Sequence, residues 1–186
     1  MSIFNYYPKT TYNNASSINI MVEAEVIQNY LNDYTKFFKY LVKDGERADI
    51  IAYQQYNDPK LDWVLYLING IVDPYKDWVM SYRDFIKYLE SKYNMSASKL
   101  TSITTPDTIA YYHYTGLPSD SQAIINSYNY TITPTTYAKM GSPSGWTPKS
   151  IFDYENEINE SKREIKILRP VYINDLKQQV KDLFNG

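Results

Sequence analysis

Residue types that commonly perform catalysis or bind metals are scarce in this chain. The one histidine, His113, lies in a Tyr-Tyr-His-Tyr run at 111–114, and cysteine is absent. A single histidine without cysteine forms neither a two-histidine nor a thiolate metal site. His113 could act as a general base, but a histidine in a tyrosine-rich strand is more often packed or exposed. We therefore predict neither a catalytic residue nor a metal site.

One pair of carboxylates has a spacing that could serve acid–base chemistry. Glu160 and Glu164 are one helical turn apart, but their neighbours Lys162 and Arg163 indicate a solvated surface. A raised carboxyl pKa would require burial. The six glycines form no phosphate-binding loop and no nucleophile elbow, and no EF-hand loop occurs. These absences predict a protein that is not an enzyme and uses no cofactor.

Composition restricts the partners further. The net charge of −2 and the absence of basic residues clustered with aromatic ones argue against binding to nucleic acid or to an acidic membrane. No apolar run approaches the roughly 18 residues of a transmembrane helix, and the N-terminus has no secretory-signal pattern. The length of 186 residues suits one domain, or one domain with a small appendage.

Tyrosine is unusually frequent, at 21 of 186 residues. Its large apolar ring and polar tip are enriched at protein interfaces, which favours an interaction surface. A biased codon pool would raise tyrosine and asparagine together, so tyrosine content alone does not decide between the two explanations.

The predicted secondary structure begins with short extended segments around a turn at Asn13 and Asn14. The stretch 23–32 is compatible with a helix or a strand. A strand is predicted over 35–42, and 43–46 has the composition of a turn. We expect the first helix over 47–56, with Ile50, Ile51 and Tyr53 facing inward.

A second helix is predicted with clearer boundaries. Asp58 is a candidate N-cap, and Pro59 suits the first turn because proline presets φ and lacks an N–H. The helix ends at 69–70, where Asn and Gly tolerate a left-handed conformation. Its apolar residues follow the i, i+3, i+4, i+7 spacing of a buried helical stripe: Leu61, Val64, Leu65 and Ile68.

The rest of the chain changes character twice. Ser81 and Asp84 resemble a capping box, and the helix they open should dock on the same core through Tyr82, Phe85, Ile86, Leu89 and Tyr93. Segment 96–150 is rich in Ser, Thr, Pro and Gly, with β-prone runs at 108–114 and 128–133. A charged helix is expected over 151–162, with Glu155, Glu157, Glu160 and Lys162 exposed. A strand over 164–168 and a helix over 171–184 follow, the helix with an apolar seam of Ile173, Leu176, Val180 and Leu183.

We therefore predict an α+β fold in three segments. Residues 1–95 form an N-terminal α+β region, 96–150 an irregular β-rich insertion or arm, and 151–186 a C-terminal helix–strand–helix.

Segment 44–63 resembles a LysM module, a β-α-α-β unit placed here at about 36–80. The matching residues are Ile51, Ala52, Tyr56, Asp58, Pro59, Trp63 and Asn69, whereas Asn57 replaces the usual glycine. Asparagine also accepts a left-handed turn, so the substitution is compatible with the module. A LysM module alone would imply binding to peptidoglycan or N-acetylglucosamine polymers.

The continuation resembles a different family. Asn69, Asp73, Pro74, Tyr75 and Trp78 follow a pattern found in the baseplate wedge proteins of contractile-tailed bacteriophages, the gene product 53 family of T-even-type phages. The C-terminal run 155–168 is similar to that family's closing helix and strand. The resemblance covers about 1–95 and 151–186.

This resemblance implies a structural subunit of the tail baseplate in the virion, assembled in the host cytoplasm. It implies contacts with other wedge proteins and with the sheath-initiating subunit, in several copies around a sixfold ring. We expect aromatic side chains to carry such contacts, although each has a core role as an alternative. The candidates are Tyr53, Tyr56, Trp63, Tyr75, Trp78, Tyr172 and Leu176. Peptidoglycan or N-acetylglucosamine binding is the alternative function.

Overall fold

The computed structural model describes residues 7–19, 33–115 and 130–185, with side-chain surroundings given up to residue 182. The fold is α+β with small antiparallel sheets, as predicted. The elements in chain order are β1 (Lys9–Tyr12), β2 (Ala15–Ile18), β3 (Phe37–Leu41), α1 (Ala48–Tyr56), α2 (Asp62–Ile68), α3 (Pro74–Asp77), α4 (Tyr82–Tyr93), α5 (Ala97–Leu100), β4 (Ile109–Tyr114), β5 (Thr131–Ile132), α6 (Pro134–Lys139), β6 (Trp146–Ser150), α7 (Ile151–Ser161), β7 (Glu164–Leu168) and α8 (Ile173–Asn185). Short 3-10 turns lie at Tyr34–Lys36, Pro59–Leu61, Pro106–Thr108 and Pro170–Tyr172.

The chain divides into two compact units. The first unit contains Met1–Val79 and Lys162–Gly186, and the second unit contains Met80–Ser161. The segments 1–95, 96–150 and 151–186 were inferred from composition rather than contacts, and their behaviour as domains stays a prediction.

The first unit is built on a two-stranded sheet whose strands are distant in sequence. Strand β3 pairs antiparallel with β7, from Phe37 opposite Leu168 to Leu41 opposite Glu164. Both strands were predicted, over 35–42 and 164–168. Between them, α1 and α2 follow β3, so β7 completes a strand–helix–helix–strand arrangement from the C-terminal part of the chain. Whether this arrangement is a LysM module stays a prediction.

One hydrophobic core holds the first unit together. Ile165 and Ile167 of β7 are buried on one face, as predicted from their alternation. The predicted stripe of α2 is also confirmed. The four stripe residues contributed by α2 and its 3-10 entry turn are all buried: Leu61, Val64, Leu65 and Ile68. Trp63 of α2 is buried with them.

The predicted inward face of α1 is partly wrong. Ile51 is fully buried, but Ile50 and Tyr53 are 45% and 57% exposed. The buried face is Ala48, Ile51 and Ala52, which follow the i, i+3, i+4 spacing of one helical stripe. Ile50 precedes Ile51 and Tyr53 follows Ala52 in the sequence. Successive residues lie about 100° apart around a helix, so both side chains are turned away from the buried stripe.

The junction between α1 and α2 has the predicted backbone chemistry. Asn57 ends α1 at φ 54°, in the left-handed region that asparagine tolerates. The Asp58 carboxylate accepts a hydrogen bond from the Lys60 N–H, so Asp58 caps the next turn. Pro59 occupies the first position of the 3-10 turn. At the far end of α2, the left-handed residue is Gly70, at φ 64°.

The N-terminal hairpin also follows its sequence. Strands β1 and β2 pair around Asn13 and Asn14, both with positive φ as a tight hairpin turn requires. The stretch 23–32, predicted as helix or strand, lies outside the described residues, as do 128–129.

The second unit has its own apolar cluster, which corrects one prediction. Helix α4 begins at Ser81, whose hydroxyl accepts from the Asp84 N–H, as a capping residue does. Its buried residues Phe85 and Leu89 pack with Leu100 and Ile151, not with the core of the first unit. The expectation of a single shared core is therefore wrong. Tyr82, also predicted inward, is exposed.

A three-stranded sheet, in the order β5-β4-β6, lies in the second unit. It confirms the predicted strand at 108–114, and β5 lies within the predicted run 128–133. The charged helix α7 is also confirmed, but Glu155, predicted exposed, is only 6% exposed. It is buried because Lys92 and Tyr93 of α4 bind its carboxylate.

The C-terminal helix α8 returns to the first unit. Ile173, Leu176 and Val180 are buried in its core, as the predicted seam requires. The side chain of Leu183, the fourth member of that seam, lies outside the described part of the chain. No described helix combines the length and apolar character needed to cross a bilayer.

Candidate functional site

The seven residues predicted to make interactions all lie in the first unit, but they differ in exposure. Tyr53 on α1 and Tyr75 on α3 are open to solvent, at 57% and 91% exposed. The remaining five are buried or half-buried in the isolated chain: Tyr56, Trp63, Trp78, Tyr172 and Leu176.

Trp63 and Leu176 belong to the core. Trp63 is 5% exposed on α2, and Leu176 is fully buried on α8. A side chain with so little surface cannot contribute much contact area to a partner. The core alternative therefore describes both residues in the isolated chain, where they stabilise the helices that carry the surface.

Trp78 is positioned by two specific contacts. Its indole Nε1–H donates to the backbone oxygen of Glu46 at 3.0 Å. Its ring meets that of Tyr66 edge to face, with centroids 5.9 Å apart. These contacts tie the segment after α3 to the turn before α1 and to α2, so Trp78 sets the position of α3 and of Tyr75.

Tyr56 and Tyr172 are anchored in a similar way. The Tyr56 hydroxyl donates to the Leu168 backbone oxygen at 3.1 Å. Burial raises the pKa of Tyr56 above its ordinary value. Tyr172 packs against the core, with the Lys36 ammonium 5.9 Å from its ring centroid.

Two Asp–Tyr pairs give the exposed side of this unit its chemistry. Asp49 and Tyr53 are one turn apart on α1, and Asp62 and Tyr66 are one turn apart on α2. Tyr66 interacts electrostatically with Asp62, Asp49 and Tyr75. We call the surface formed by these residues the acidic tyrosine surface: Asp49, Tyr53, Asp62, Tyr66 and Tyr75.

Negative charge at this surface perturbs its titrating groups. Partial burial raises the pKa of Asp62, and the nearby carboxylate of Asp49 raises it further. Burial likewise raises the pKa of Tyr66, with Asp62 and Asp49 adding to the effect. Arg47 balances part of this charge through two hydrogen bonds to Asp49, of 3.0 and 2.9 Å. The surface therefore combines two carboxylates, partly balanced by Arg47, with the apolar area of its tyrosine rings.

Sequence reasoning named Tyr53 and Tyr75 as interaction candidates, but it placed Tyr53 on the inward face of its helix and did not name Asp49, Asp62 or Tyr66. A usable signal was present, because Asp-x-x-x-Tyr occurs in each of the two neighbouring helices, at 49–53 and 62–66. Exposed Val72, beside α3, was also missed. An isolated exposed valine has no distinguishing sequence pattern.

The second unit carries aromatic pairs of its own. Tyr112 of β4 stacks on Tyr137 of α6 with centroids 3.8 Å apart, and Tyr114 meets Trp146 of β6 at 5.1 Å. Tyr112 and Tyr114 share a face of the sheet because alternate strand residues point the same way. On β4, His113 Nε2 is buried and has no hydrogen-bond partner within the described part of the chain.

Across 7–19, 33–115 and 130–185, no group of three or more His, Cys, Asp or Glu side chains is arranged to hold a metal ion.

Comparison with known proteins gives two matches. A family model described as base plate wedge protein 53 matches residues 2–184. The baseplate wedge protein gp53 of Enterobacteria phage T4 is 27% identical over 184 residues, which cover 91% of this chain and 86% of that protein. Both similarities extend through the two compact units, including the segment 96–150 that the motif resemblance did not cover.

Proposed function

This chain belongs to the base plate wedge protein 53 family, and we propose that its acidic tyrosine surface binds neighbouring subunits of a phage tail baseplate. The chain is a structural baseplate wedge protein and a component of the virion tail. The observation that carries this conclusion is the family match over residues 2–184. Docking through the first unit is supported by the exposure of Tyr53 and Tyr75.

The binding physics is burial of aromatic area against a partner of opposite charge. Exposed tyrosines supply large contact areas with few rotors to freeze, and interface hot spots each contribute about 2 kcal/mol or more. Asp49 and Asp62 steer the encounter and select a basic partner surface. Trp78 and Trp63 act indirectly in this proposal, by holding the helices that present the tyrosines.

The partners we propose are other wedge proteins and the sheath-initiating subunit, with several copies of this chain around a sixfold baseplate. The protein acts through assembly rather than catalysis. The structural character of its family supports that reading, as does the scarcity of catalytic residue types in its sequence.

The proposal is tested by complementing a phage that lacks this protein. We expect the double variant Tyr53→Ser with Tyr75→Ser to fold normally but to reduce complete tails by at least about tenfold, which corresponds to 1.4 kcal/mol. Tyr82→Ser is the control, because Tyr82 is a tyrosine of the second unit that is 63% exposed, close to the 57% of Tyr53. Normal tails with the double variant would contradict the docking surface. Normal tails without any copy of this protein would contradict the wedge role.

The LysM resemblance supports a second candidate, binding to N-acetylglucosamine polymers. Titration of the purified protein with an N-acetylglucosamine oligomer tests it. Saturable binding would favour this alternative, and the absence of binding would remove it.

A further inference from the structure

The hydrogen-bond pattern of the β3–β7 sheet shows which backbone groups face outward. The Arg169 N–H donates to the Lys36 oxygen, and the Val42 N–H donates to the Arg163 oxygen. Hydrogen-bonded pairs recur every second residue in an antiparallel ladder. Residues 36, 38, 40 and 42 therefore bond to β7, whereas 37, 39 and 41 direct their N–H and C=O groups away from it.

The outer edge of β7 is closed by side chains of the same unit. The Asn69 amide donates to the Lys166 oxygen at 2.9 Å and accepts from the Lys166 N–H at 2.8 Å, as a neighbouring strand would. The Tyr56 hydroxyl donates to the Leu168 oxygen. Lys166 and Leu168 are residues of β7 whose backbone groups the ladder directs away from β3. Their contacts with Asn69 and Tyr56 therefore confirm which edge of each strand faces outward.

The sheet of the second unit has protected edges as well. On β6, the ladder bond from the Thr115 N–H to the Gly145 oxygen assigns outward parity to 146 and 148. Pro148 stands in the middle of that edge and has no N–H to donate. On the other side, β5 is only two residues long. Short edge strands and edge prolines both discourage further strand pairing.

Among the described residues, no side chain and no proline closes the outer edge of β3 in the way that Asn69 closes β7. Its central residue, Lys39, discourages pairing with a strand that brings no acidic residue opposite it. The outward backbone groups of Lys39 and Leu41 bond to none of the described residues. Both side chains are exposed, Lys39 at 77% and Leu41 at 65%. A row of unpaired N–H and C=O groups is a template for strand addition.

The charge along β3 restricts what can pair with it. Residues 36–43 contain three lysines and no acidic residue, but the Lys36 side chain is only 19% exposed and pairs with Asp33 at 3.7 Å. Within β3, the exposed positive charge is therefore that of Lys39. Lys39 contacts Glu164 at 2.7 Å, but both side chains are largely exposed. Such a pair contributes little and exchanges partners readily. An incoming strand with an acidic residue opposite Lys39 is therefore favoured.

We propose that the outer edge of β3 accepts an extended, acidic segment of another tail subunit, which adds a third strand to the sheet through Lys39 and Leu41. This inference rests on the proposed role in the baseplate, because it names the chemistry of one partner. The basic edge and the acidic tyrosine surface have opposite charge preferences, so they suit different partners.

Hydrogen exchange resolved to single residues tests the proposal on the isolated protein and on assembled tails. In the isolated protein, the Lys39 and Leu41 amides should exchange freely, while Phe38 and Tyr40 are protected by the ladder. In tails, Lys39 and Leu41 should slow by at least about tenfold, as newly paired amides do. Phe38 and Tyr40 serve as internal controls for the integrity of the sheet.

Proline substitution provides an independent test. Lys39→Pro removes an outward N–H without removing a ladder bond, so the sheet should persist while strand addition fails. Lys39→Ala is the matched control that keeps the N–H, and Lys39→Glu reverses the charge. Incorporation into tails should fall most for Lys39→Pro, then for Lys39→Glu, and least for Lys39→Ala.

Each alternative has a distinct outcome. Absence of the wild-type chain from tails would overturn the proposed wedge function. Presence in tails with unprotected Lys39 and Leu41 amides would overturn the strand-addition proposal alone. Protection that appears in the isolated protein and grows with its concentration would assign the edge to a second copy of this chain, and would also overturn the proposal.

Discussion

The two compact units mix helices with a small antiparallel sheet, yet different forces stabilise them. The first unit buries a cluster of aliphatic and aromatic side chains that draws on β3, α1, α2, β7 and α8. The second unit has a smaller apolar cluster. Among the described residues, the buried polar side chains all lie in the second unit: Thr108, Ser150, Glu155 and Asn159.

The polar groups of the second unit are matched by specific partners. The Glu155 carboxylate accepts from the Lys92 ammonium at 2.8 Å and from the Tyr93 hydroxyl at 2.6 Å. The Asn159 amide bonds to both the N–H and the oxygen of Met80. A buried polar group is costly unless it is bonded, so these partners offset the cost of burying Glu155 and Asn159. The comparison teaches that buried apolar volume stabilises the first unit, whereas the stability of the second unit also depends on hydrogen bonds to its buried polar groups.

The largest expected effect comes from removing apolar volume in the first unit. Leu65→Ala should lower the free energy of unfolding by about 2–5 kcal/mol, because Leu65 is fully buried and its loss leaves a cavity. Denaturant unfolding measures the change. Leu41→Ala is the control, since an exposed leucine should cost under about 0.5 kcal/mol. Equal costs for the two variants would contradict the placement of the core.

A smaller loss is expected from the polar network of the second unit. Glu155→Gln should cost about 1–3 kcal/mol, because the Lys92 and Tyr93 donors lose a charged acceptor. Glu157→Gln is a matched control on the same helix, where an exposed carboxylate pairs with Lys149. That exposed pair should contribute under about 1 kcal/mol. A cost for Glu157→Gln as large as that for Glu155→Gln would remove the distinction between the units.

Acid should also change the stability of the two units in opposite directions, through Glu155 in the second unit and Asp62 in the first. Burial alone would raise the pKa of Glu155, but the hydrogen bonds and charge from Lys92 and Tyr93 lower it below its ordinary value. Its stabilisation is present above the unfolded-state pKa and is lost as pH falls through the folded-state pKa. The pKa of Asp62 in the first unit is raised by burial, so protonation of Asp62 favours the folded state.

Measuring the free energy of unfolding between about pH 6 and about pH 3 tests whether protonation of Glu155 destabilises the fold and protonation of Asp62 stabilises it. Glu155→Gln should flatten the loss of stability in acid, whereas Asp62→Asn should remove a contribution that increases in acid. A change of the same sign for both variants would contradict the assigned environments.

The smallest expected loss of stability comes from the asparagine that ends a helix in each unit, and it should be equal in the two units. Asn57 ends α1 and Asn94 ends α4, with φ of 54° and 50°. Replacing either with alanine should cost about 1 kcal/mol, because alanine lacks the local hydrogen bonding that lets asparagine adopt a left-handed conformation. Glycine at either position should be tolerated. Thermal unfolding of the four variants makes the comparison, and a large difference between the alanine variants would show that tertiary contacts act at one of the turns.

Local patterns in the sequence predicted much of the first unit. Asp58 and Pro59 marked the start of a helix because capping and proline geometry depend on adjacent residues. The spacing of Leu61, Val64 and Leu65 identified the buried stripe of α2. The face of α1 was harder to predict, because a nine-residue helix with small buried alanines has weak periodicity.

Features that depend on distant residues were not predictable in the same way. Glu155 resembles its exposed neighbours on α7, and its burial depends on Lys92 and Tyr93 of another helix. The pairing of β3 with β7 depends on strands that the second unit separates in the chain. At the candidate site, exposure of Tyr53 and burial of Trp63 were both consistent with the sequence, and only packing distinguished them.

An electron cryomicroscopy map of the assembled tail tests the central claim most directly. We expect this chain in the baseplate, with the Tyr53 and Tyr75 side chains covered by another polypeptide that carries basic residues near Asp49 and Asp62. A baseplate that lacks this chain would contradict the account, and so would a baseplate in which both tyrosines remain in solvent.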